Sequence, residues 1–269
     1  MHSHLLAPAL CLALAALPGA LAAQTETSAQ VTFESGLYTG TPEALYRLHI
    51  DGAAQSGRNG MQAAAVFGGL APGQSLTDLR LILYQDRGAR WRYGTELQYS
   101  TDPALGGADY ALGFRLRYAD AGGTVDTRFA LIEGGPDGAF SVTVAMEQDL
   151  NPGARVNGLL HRYSTNKEIG DFFAIGLGGT VDLPSGLSGY GQAIWSLADD
   201  FSEETTSATL GLRRDIAPGV QGFAGLTARQ TQTLGASYGL TAGVTLALSD
   251  GTALFQTNPF GQQLAHIGH

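Results

Sequence analysis

Apolar and polar residues alternate one by one along much of this chain. The alternation is clearest in four segments, residues 91–100, 110–118, 140–147 and 237–249. In the first segment, Trp91, Tyr93 and Leu97 alternate with charged, polar or small residues. Successive side chains on a β-strand point to opposite faces. Each segment is therefore predicted to be a strand with one apolar face and one polar or small face.

The same pattern, interrupted by turn residues, predicts about 14 strands. The predicted strands cover residues 29–38, 44–52, 61–68, 76–85, 91–101, 109–119, 124–134, 139–148, 154–164, 171–183, 189–199, 205–214, 219–230 and 236–249. The connectors between them are rich in Gly, Pro, Asp and Asn, which favour turns. Most predicted strands have about ten residues, the length at which a tilted strand crosses the hydrocarbon layer of a membrane.

Three connectors resemble one another and recur at a spacing of 33 residues. They are residues 149–153, 182–186 and 215–219, and each combines an Asp with a later Pro and Gly. Two predicted strands separate each connector from the next, so the three turns are predicted to lie on one rim, the periplasmic one. The loops at 164–170, 199–205 and 231–235 are then expected on the opposite rim.

Together these features predict an all-β fold, an antiparallel transmembrane β-barrel of about 14 strands, with 12 as the alternative count. The sequence after residue 23 has no convincing helical period and no long apolar run of the kind that forms a membrane helix. The 269 residues include 38 Gly, only 14% are charged and 44% are hydrophobic. This composition suits a wall in which every second residue is polar. A soluble periplasmic β-sandwich remains the alternative fold.

Residues 1–23 have the features of a cleaved secretory signal peptide. An apolar run from Leu10 to Ala16 is followed by Pro18 and Gly19, and then by small residues up to Ala23. The barrel is accordingly assigned to residues 24–269. Cys11, the only cysteine, lies in the predicted leader, so the mature chain has no thiol for a disulfide, a metal site or nucleophilic catalysis.

The polar faces of the predicted strands carry the candidate functional residues. Charged side chains that face lipid are costly, so these residues are expected to face the barrel interior. The candidate pore-lining residues are Arg47, Arg92, Glu96, Arg115, Arg117, Asp126, Arg128, Glu147, Arg213 and Arg229. Opposite charges on adjacent strands are expected to face one another. The arginines either line a water-filled pore that favours anionic or zwitterionic solutes, or they form a salt-bridged filling that closes the barrel.

Aromatic residues lie close to the ends of many predicted strands. In a membrane barrel such residues form interface belts, with the ring in lipid and the polar tip in water. The residues expected in these belts are Tyr38, Tyr84, Trp91, Tyr93, Tyr99, Tyr110, Tyr118, Tyr163, Tyr190 and Tyr238.

The sequence gives little indication of catalysis. His49 and Asp51 share one strand face, and His161 is three residues from Ser164, but neither arrangement matches a recognisable catalytic site. No metal-ligand spacing and no phosphate-binding loop is present, so no catalytic residue, metal or cofactor is assigned. The formal net charge of −9 argues against nucleic acid as a partner.

The leader, the cysteine-free mature chain, the Gly- and Tyr-rich alternating strands and the repeated turns resemble Gram-negative outer-membrane β-barrel proteins, including small porins. The resemblance is to the class as a whole and covers nearly the whole mature chain. It implies residence in the outer membrane, contact with lipids and lipopolysaccharide, insertion by the barrel assembly machinery, and a possible homo-oligomer. One departure is the polar C-terminal end after Phe260, since such proteins usually end in an aromatic residue that closes the last strand.

We therefore expect a non-enzymatic, passive pore for small hydrophilic solutes with an Arg-lined lumen. A closed structural or assembly barrel without a pore is the second hypothesis. An outer-membrane barrel enzyme that acts on lipid or peptide is the third.

Overall fold

The computed structural model describes residues 25–39, 45–71, 74–102, 107–133, 138–165, 171–198, 204–232 and 235–247. These residues form a closed barrel in which each strand pairs antiparallel with its neighbours. The strands are β1 (Thr25–Tyr38), β2 (Leu45–Ser56), β3 (Asn59–Ala71), β4 (Gln74–Arg87), β5 (Trp91–Asp102), β6 (Gly107–Ala119), β7 (Gly123–Glu133), β8 (Ala139–Asn151), β9 (Ala154–Thr165), β10 (Phe172–Leu183), β11 (Leu187–Ala198), β12 (Glu204–Ala217), β13 (Val220–Thr231) and β14 (Gly235–Ala247).

The strand number predicted from the alternation is confirmed, and the fold class with it. Barrel closure takes place between β1 and β14, where Gln30 pairs with Ala247 and Tyr38 with Gly239. The predicted leader, residues 1–23, and Phe260 both lie outside the described residues. No helix among the described residues is long and apolar enough to cross a membrane.

Most observed strands are longer than predicted, because pairing continues past the last alternating apolar residue. β1 begins at Thr25 rather than at residue 29, and β2 continues to Ser56 rather than stopping at residue 52. Residues 25–28 and 53–56 pair with one another across these two strands. Backbone pairing at a rim needs no apolar face, so a pattern of hydrophobicity underestimates its extent.

The described short turns all lie on one rim of the barrel, which we call the short-turn rim. The predicted recurring turns join β8 to β9, β10 to β11 and β12 to β13, so they share this rim as their spacing predicts. The middle one is a 3-10 turn, Pro184–Gly186, in which Ser185 and Gly186 both have φ of 70°. Glycine adopts this left-handed conformation without steric penalty, whereas serine does so less readily.

The number of strands sets the width of the barrel, which lies between the filled and the open classes of β-barrel. Strands spaced about 4.8 Å apart and tilted by about 40° place the backbone of a 14-stranded barrel on a cylinder about 14 Å in radius. Barrels of eight strands are filled by their own side chains, and those of 16 to 18 strands leave aqueous channels. The chemistry of the interior therefore depends on how the inward side chains are arranged.

Candidate functional site

Neighbouring residues on each strand face opposite sides of the wall. On β5, Leu97 is 54% exposed on the outside, whereas Glu96 is completely buried on the inside. Bulky apolar side chains are exposed on the outer face of nearly every strand; they include Phe33, Leu83, Leu97, Leu112, Phe114, Phe129, Leu131, Met146, Leu177, Leu210, Leu226 and Leu240. The outer wall is thus predominantly apolar, and most charged groups lie inside.

Glu96 is the centre of a buried ion network on the inner wall. Its Oε1 accepts a hydrogen bond of 2.7 Å from Nε of Arg128, and its Oε2 lies in ion-pair contact with Nε of Arg115. Nε of Arg80 lies 3.7 Å from Oε1. A buried carboxylate without a partner would cost several kcal/mol, so the three guanidinium groups are what keep this charge in place.

Uncharged side chains extend the Glu96 network across five strands. Arg128 donates to Oε1 of Gln98 at 2.6 Å and to Oγ of Ser141 at 3.2 Å. Gln98 in turn donates to Asp78 at 2.7 Å, and Asp78 lies 3.9 Å from Arg80. The network therefore connects β4, β5, β6, β7 and β8 along one side of the interior.

A second network lies closer to the short-turn rim. Arg92 donates to both carboxylate oxygens of Asp86, at 2.6 and 3.0 Å, which is the strong bidentate geometry. It also donates to Gln55 at 3.0 Å, while Gln55 donates to Asp86 at 2.9 Å. The guanidinium carbon of Arg92 lies 4.2 Å from the ring centroid of Tyr84. Arg92 is thus compensated by a carboxylate and held against an aromatic ring.

The expected ladder of directly opposed charges is only partly correct. The register does place Arg117 opposite Asp126, but it places Arg115 opposite Arg128 and Arg92 opposite Arg117. Directly opposed like charges would repel. Compensation instead runs diagonally, since Glu96 of β5 contacts both Arg115 of β6 and Arg128 of β7.

All ten candidate pore-lining residues lie on the inward face by register, but they differ in their partners. Arg47 is directly opposite Glu34, and Glu147 lies 3.2 Å from Arg155. Arg229 is opposite Ser207 and Ser237. The guanidinium carbon of Arg213 lies 5.0 Å from the ring centroid of Tyr190. The positions gathered into the two networks are Arg92, Glu96, Arg115 and Arg128.

The wall across the barrel from these networks is lined mainly by hydroxyl groups and glycine. Thr32 and Thr245 are hydrogen-bonded at 3.0 Å, and so are Thr209 and Thr227. Thr241, also on this wall, is buried. The interior is consequently asymmetric, with most of its charges on β4 to β8 and mainly uncharged polar groups on β12, β13, β14 and β1.

Among the expected belt residues whose side chains the structure describes, three are wrong. Tyr84 and Tyr190 lie on the inner wall, each beside an arginine. Tyr163 also faces inward, where its ring stacks on Phe172 at 5.4 Å. Nearness to a strand end does not determine the face, which depends on whether the position is odd or even along the strand. Trp91 and Tyr238 do face outward.

Asp78, Asp86 and Gln98 belong to the two networks but are not among the candidate residues predicted from the sequence. Asp86 could have been found from the short connection at residues 88–90, since a hairpin about that turn pairs Asp86 with Arg92. Asp78 and Gln98 gave no such signal. Their contact with each other depends on side-chain direction within the barrel.

The histidines weighed as catalytic candidates lie on the inner wall. His161 Nδ1 is 2.8 Å from Thr143 Oγ1, and its ring lies 5.3 Å from that of Phe172. Ser164 is bonded instead to Asp171, at 2.5 Å. His49 is buried. Among the described residues, no group of three His, Cys, Asp or Glu side chains could hold a metal ion.

Comparison with solved structures identifies the fold. The anion-selective porin from Comamonas acidovorans superposes with a TM-score of 0.59 and 11% identity, over 83% of this chain and all of that one. The outer membrane channel DcaP of Acinetobacter baumannii gives 0.55 and 10%, over 83% and 96%. OmpT, an outer membrane protein of Vibrio cholerae, gives 0.51 and 10%, over 83% and 99%.

Sequence comparison gives no match, either to a protein-family model or to a curated protein. The relationship is therefore visible in the course of the backbone and not in residue identity. On that ground, and on its closed ring of 14 antiparallel strands, the chain is a porin-like β-barrel with the fold of outer-membrane porins.

Proposed function

We propose that this barrel is a passive pore through which small hydrophilic solutes cross the outer membrane. The observation that carries the proposal is the division of the wall into an apolar outer face and a charged and hydroxyl-rich inner face. An apolar exterior on a closed barrel is stable in hydrocarbon, because no strand edge is left unpaired. A polar interior allows water and polar solutes to occupy the lumen.

The likeness to porins supports the pore and an outer-membrane location, while the solute is inferred from the interior. The lining combines both signs of charge with hydroxyl and amide groups, which suits small polar molecules rather than apolar ones. We place the candidate pore-lining residues along the solute path on the same reasoning.

Single-channel recording in planar lipid bilayers tests the proposal. Purified, folded protein is expected to give discrete and steady conductance steps, while heat-denatured protein from the same preparation gives none. Liposome swelling with neutral sugars of increasing size then measures the width of the path. The pore hypothesis would be contradicted if bilayers showed no conductance with protein that migrates as a folded barrel in unheated detergent gels.

A closed structural barrel is the second candidate, and the burial of several inward side chains favours it. Ile82, Ile194 and Glu96 are at most 1% exposed, although they face the interior. If side chains fill the cross-section, the folded protein inserts into bilayers without conductance. The same recording therefore separates the two functions. The enzyme hypothesis needs a hydrolytic activity that disappears in the His49→Ala variant.

We also propose that residues 1–23 are removed on export and that the barrel assembly machinery inserts the mature chain, which contacts lipids and lipopolysaccharide. Sequencing the N-terminus of protein from the outer-membrane fraction tests cleavage near Ala23. Cross-linking in intact membranes tests for a homo-oligomer.

A further inference from the structure

Two arginine–tyrosine pairs lie on opposite sides of the barrel. In one, the Arg92 guanidinium of β5 lies against the Tyr84 ring of β4. In the other, the Arg213 guanidinium of β12 lies against the Tyr190 ring of β11. β4 and β11 are seven strands apart in a ring of 14, so the two pairs face each other across the interior. Both tyrosines lie four residues from the glycine of a short turn and thus near the short-turn rim.

Each tyrosine ring lies flat against the wall, over a glycine of a neighbouring strand. A Cβ at Gly60 would overlap the Tyr84 ring, and one at Gly211 would overlap that of Tyr190. The absence of a side chain there lets the rings lie on the backbone instead of projecting into the lumen. The arginines, each within cation–π distance of its ring, are thereby held at the inner wall.

The two pairs differ in charge compensation. On the strand that carries its tyrosine, Arg92 is directly opposite Asp86, which it binds through two hydrogen bonds. On the strand that carries its tyrosine, Arg213 is directly opposite Ser188, and on the other side it is opposite Phe223, so neither register partner is charged. Among the described residues, no carboxylate forms an ion pair with Arg213. No hydrogen bond joins the Arg213 side chain to another described residue, and its contact is the Tyr190 ring.

Two carboxylates of the same rim already have other partners. Asp182 accepts a hydrogen bond from Ser188 at 3.1 Å, and Asp215 accepts one from Gln221 at 3.0 Å. A guanidinium has five N–H donors, and contact with a ring face uses none of them. The donors of Arg213 are therefore available to a solute in the lumen, whereas those of Arg92 are engaged.

We propose that Arg213, held against Tyr190, is the anion-binding contact that sets the selectivity of the pore for small carboxylate- or phosphate-bearing solutes. This inference rests on the proposed pore function. It assigns to one residue the preference for anions that the sequence led us to expect of the inward arginines as a group. Arg115 is compensated by Glu96, and Arg117 lies directly opposite Asp126.

Reversal potentials in planar bilayers under a KCl gradient test the proposal. The Arg213→Gln variant should lower the chloride-to-potassium permeability ratio by about tenfold, because removing one charge about 6 Å from an ion in water disfavours chloride and favours potassium by about threefold each. Arg213→Lys should keep most of the ratio. Arg214→Gln is the matched control, since it removes the same charge at the next position, which faces out of the lumen and is exposed.

Ser188→Asp gives an independent variant that leaves Arg213 in place. It puts a carboxylate directly opposite Arg213, as Asp86 is opposite Arg92, and should lower the ratio as Arg213→Gln does. Added inorganic phosphate should reduce the chloride current of the unmodified protein more than that of either variant.

The outcomes separate this inference from the pore itself. Steady conductance in all variants with an unchanged permeability ratio would overturn the role of Arg213 and leave the pore standing. An equal fall in Arg214→Gln would assign the effect to the overall charge of the rim and also overturn it. Absence of conductance from the folded, unmodified protein would overturn the pore, and the inference with it.

Discussion

At the scale of single residues, the interior depends on how each charge is compensated. Glu96 is the clearest case, because one fully buried carboxylate contacts arginines from three strands. Removing one member of a buried ion pair usually costs more than the pair contributes, since the remaining charges are left unpaired in a low-dielectric site. Here the charges left would be several guanidinium groups, two of them directly opposite each other.

Glu96→Gln is therefore expected to lower the free energy of unfolding by about 3 kcal/mol. Gln is nearly the same size, so the loss would reflect charge rather than volume. Urea unfolding of the protein in lipid vesicles measures it. Glu133→Gln, at an exposed position at the end of β7, removes the same charge and should change stability by less than about 0.5 kcal/mol. Equal effects of the two substitutions would contradict the structural role of the Glu96 network.

At the scale of the strands, inward aromatic side chains lie over glycines of adjacent strands. Tyr84 lies over Gly60 and Phe223 over Gly243, and both pairs are directly opposed in the register. The ring covers the exposed backbone of the glycine, so the two residues stabilise the pairing of their strands together. Such pairs also anchor the register, because a shift by one residue would turn the ring to the outer face.

Gly60→Ala tests this pairing. The three atoms nearest to the added Cβ all belong to the Tyr84 side chain, which would have to leave the wall, and a loss of about 1–3 kcal/mol is expected. In a Tyr84→Ala background the same substitution should cost much less, because the ring is absent. A double-mutant cycle by urea unfolding gives this coupling. Additive effects would show that the ring does not depend on the glycine.

At the scale of the whole molecule, the exposed apolar outer wall is the main reason for proposing that the barrel spans a membrane. Leu112, near the middle of β6, and Leu150, beside the short-turn rim, are both more than half exposed on the outer side. In a bilayer the first would face the hydrocarbon centre and the second the interface. If both positions faced water instead, a charged side chain would have a similar effect on stability at each.

Leu112→Arg should therefore destabilise the barrel in vesicles by about 2–4 kcal/mol, and Leu150→Arg by about 0–1 kcal/mol. Both variants add the same charge at an exposed leucine. The difference between their unfolding free energies therefore reports how deep each position lies in the bilayer. Similar losses at the two positions would contradict a membrane-spanning wall.

The sequence by itself indicated about 14 strands, the two faces of the wall and the rim shared by the recurring turns. These features are local, since a period of two and a turn motif are set by residues next to one another in the chain. That is why fourteen strands could be counted without any long-range information, although the strand ends could not.

Only the tertiary structure decided which arginines contact Glu96 and Asp86, and that Arg213 lies against a tyrosine ring without an ion pair among the described residues. Glu96 reaches Arg115 and Arg128 diagonally, Tyr84 and Tyr190 face inward, and Arg213 is opposite an uncharged serine. Such contacts join residues on different strands. They depend on the register that closes the barrel and on side-chain direction, which the order of residues along a single strand does not contain.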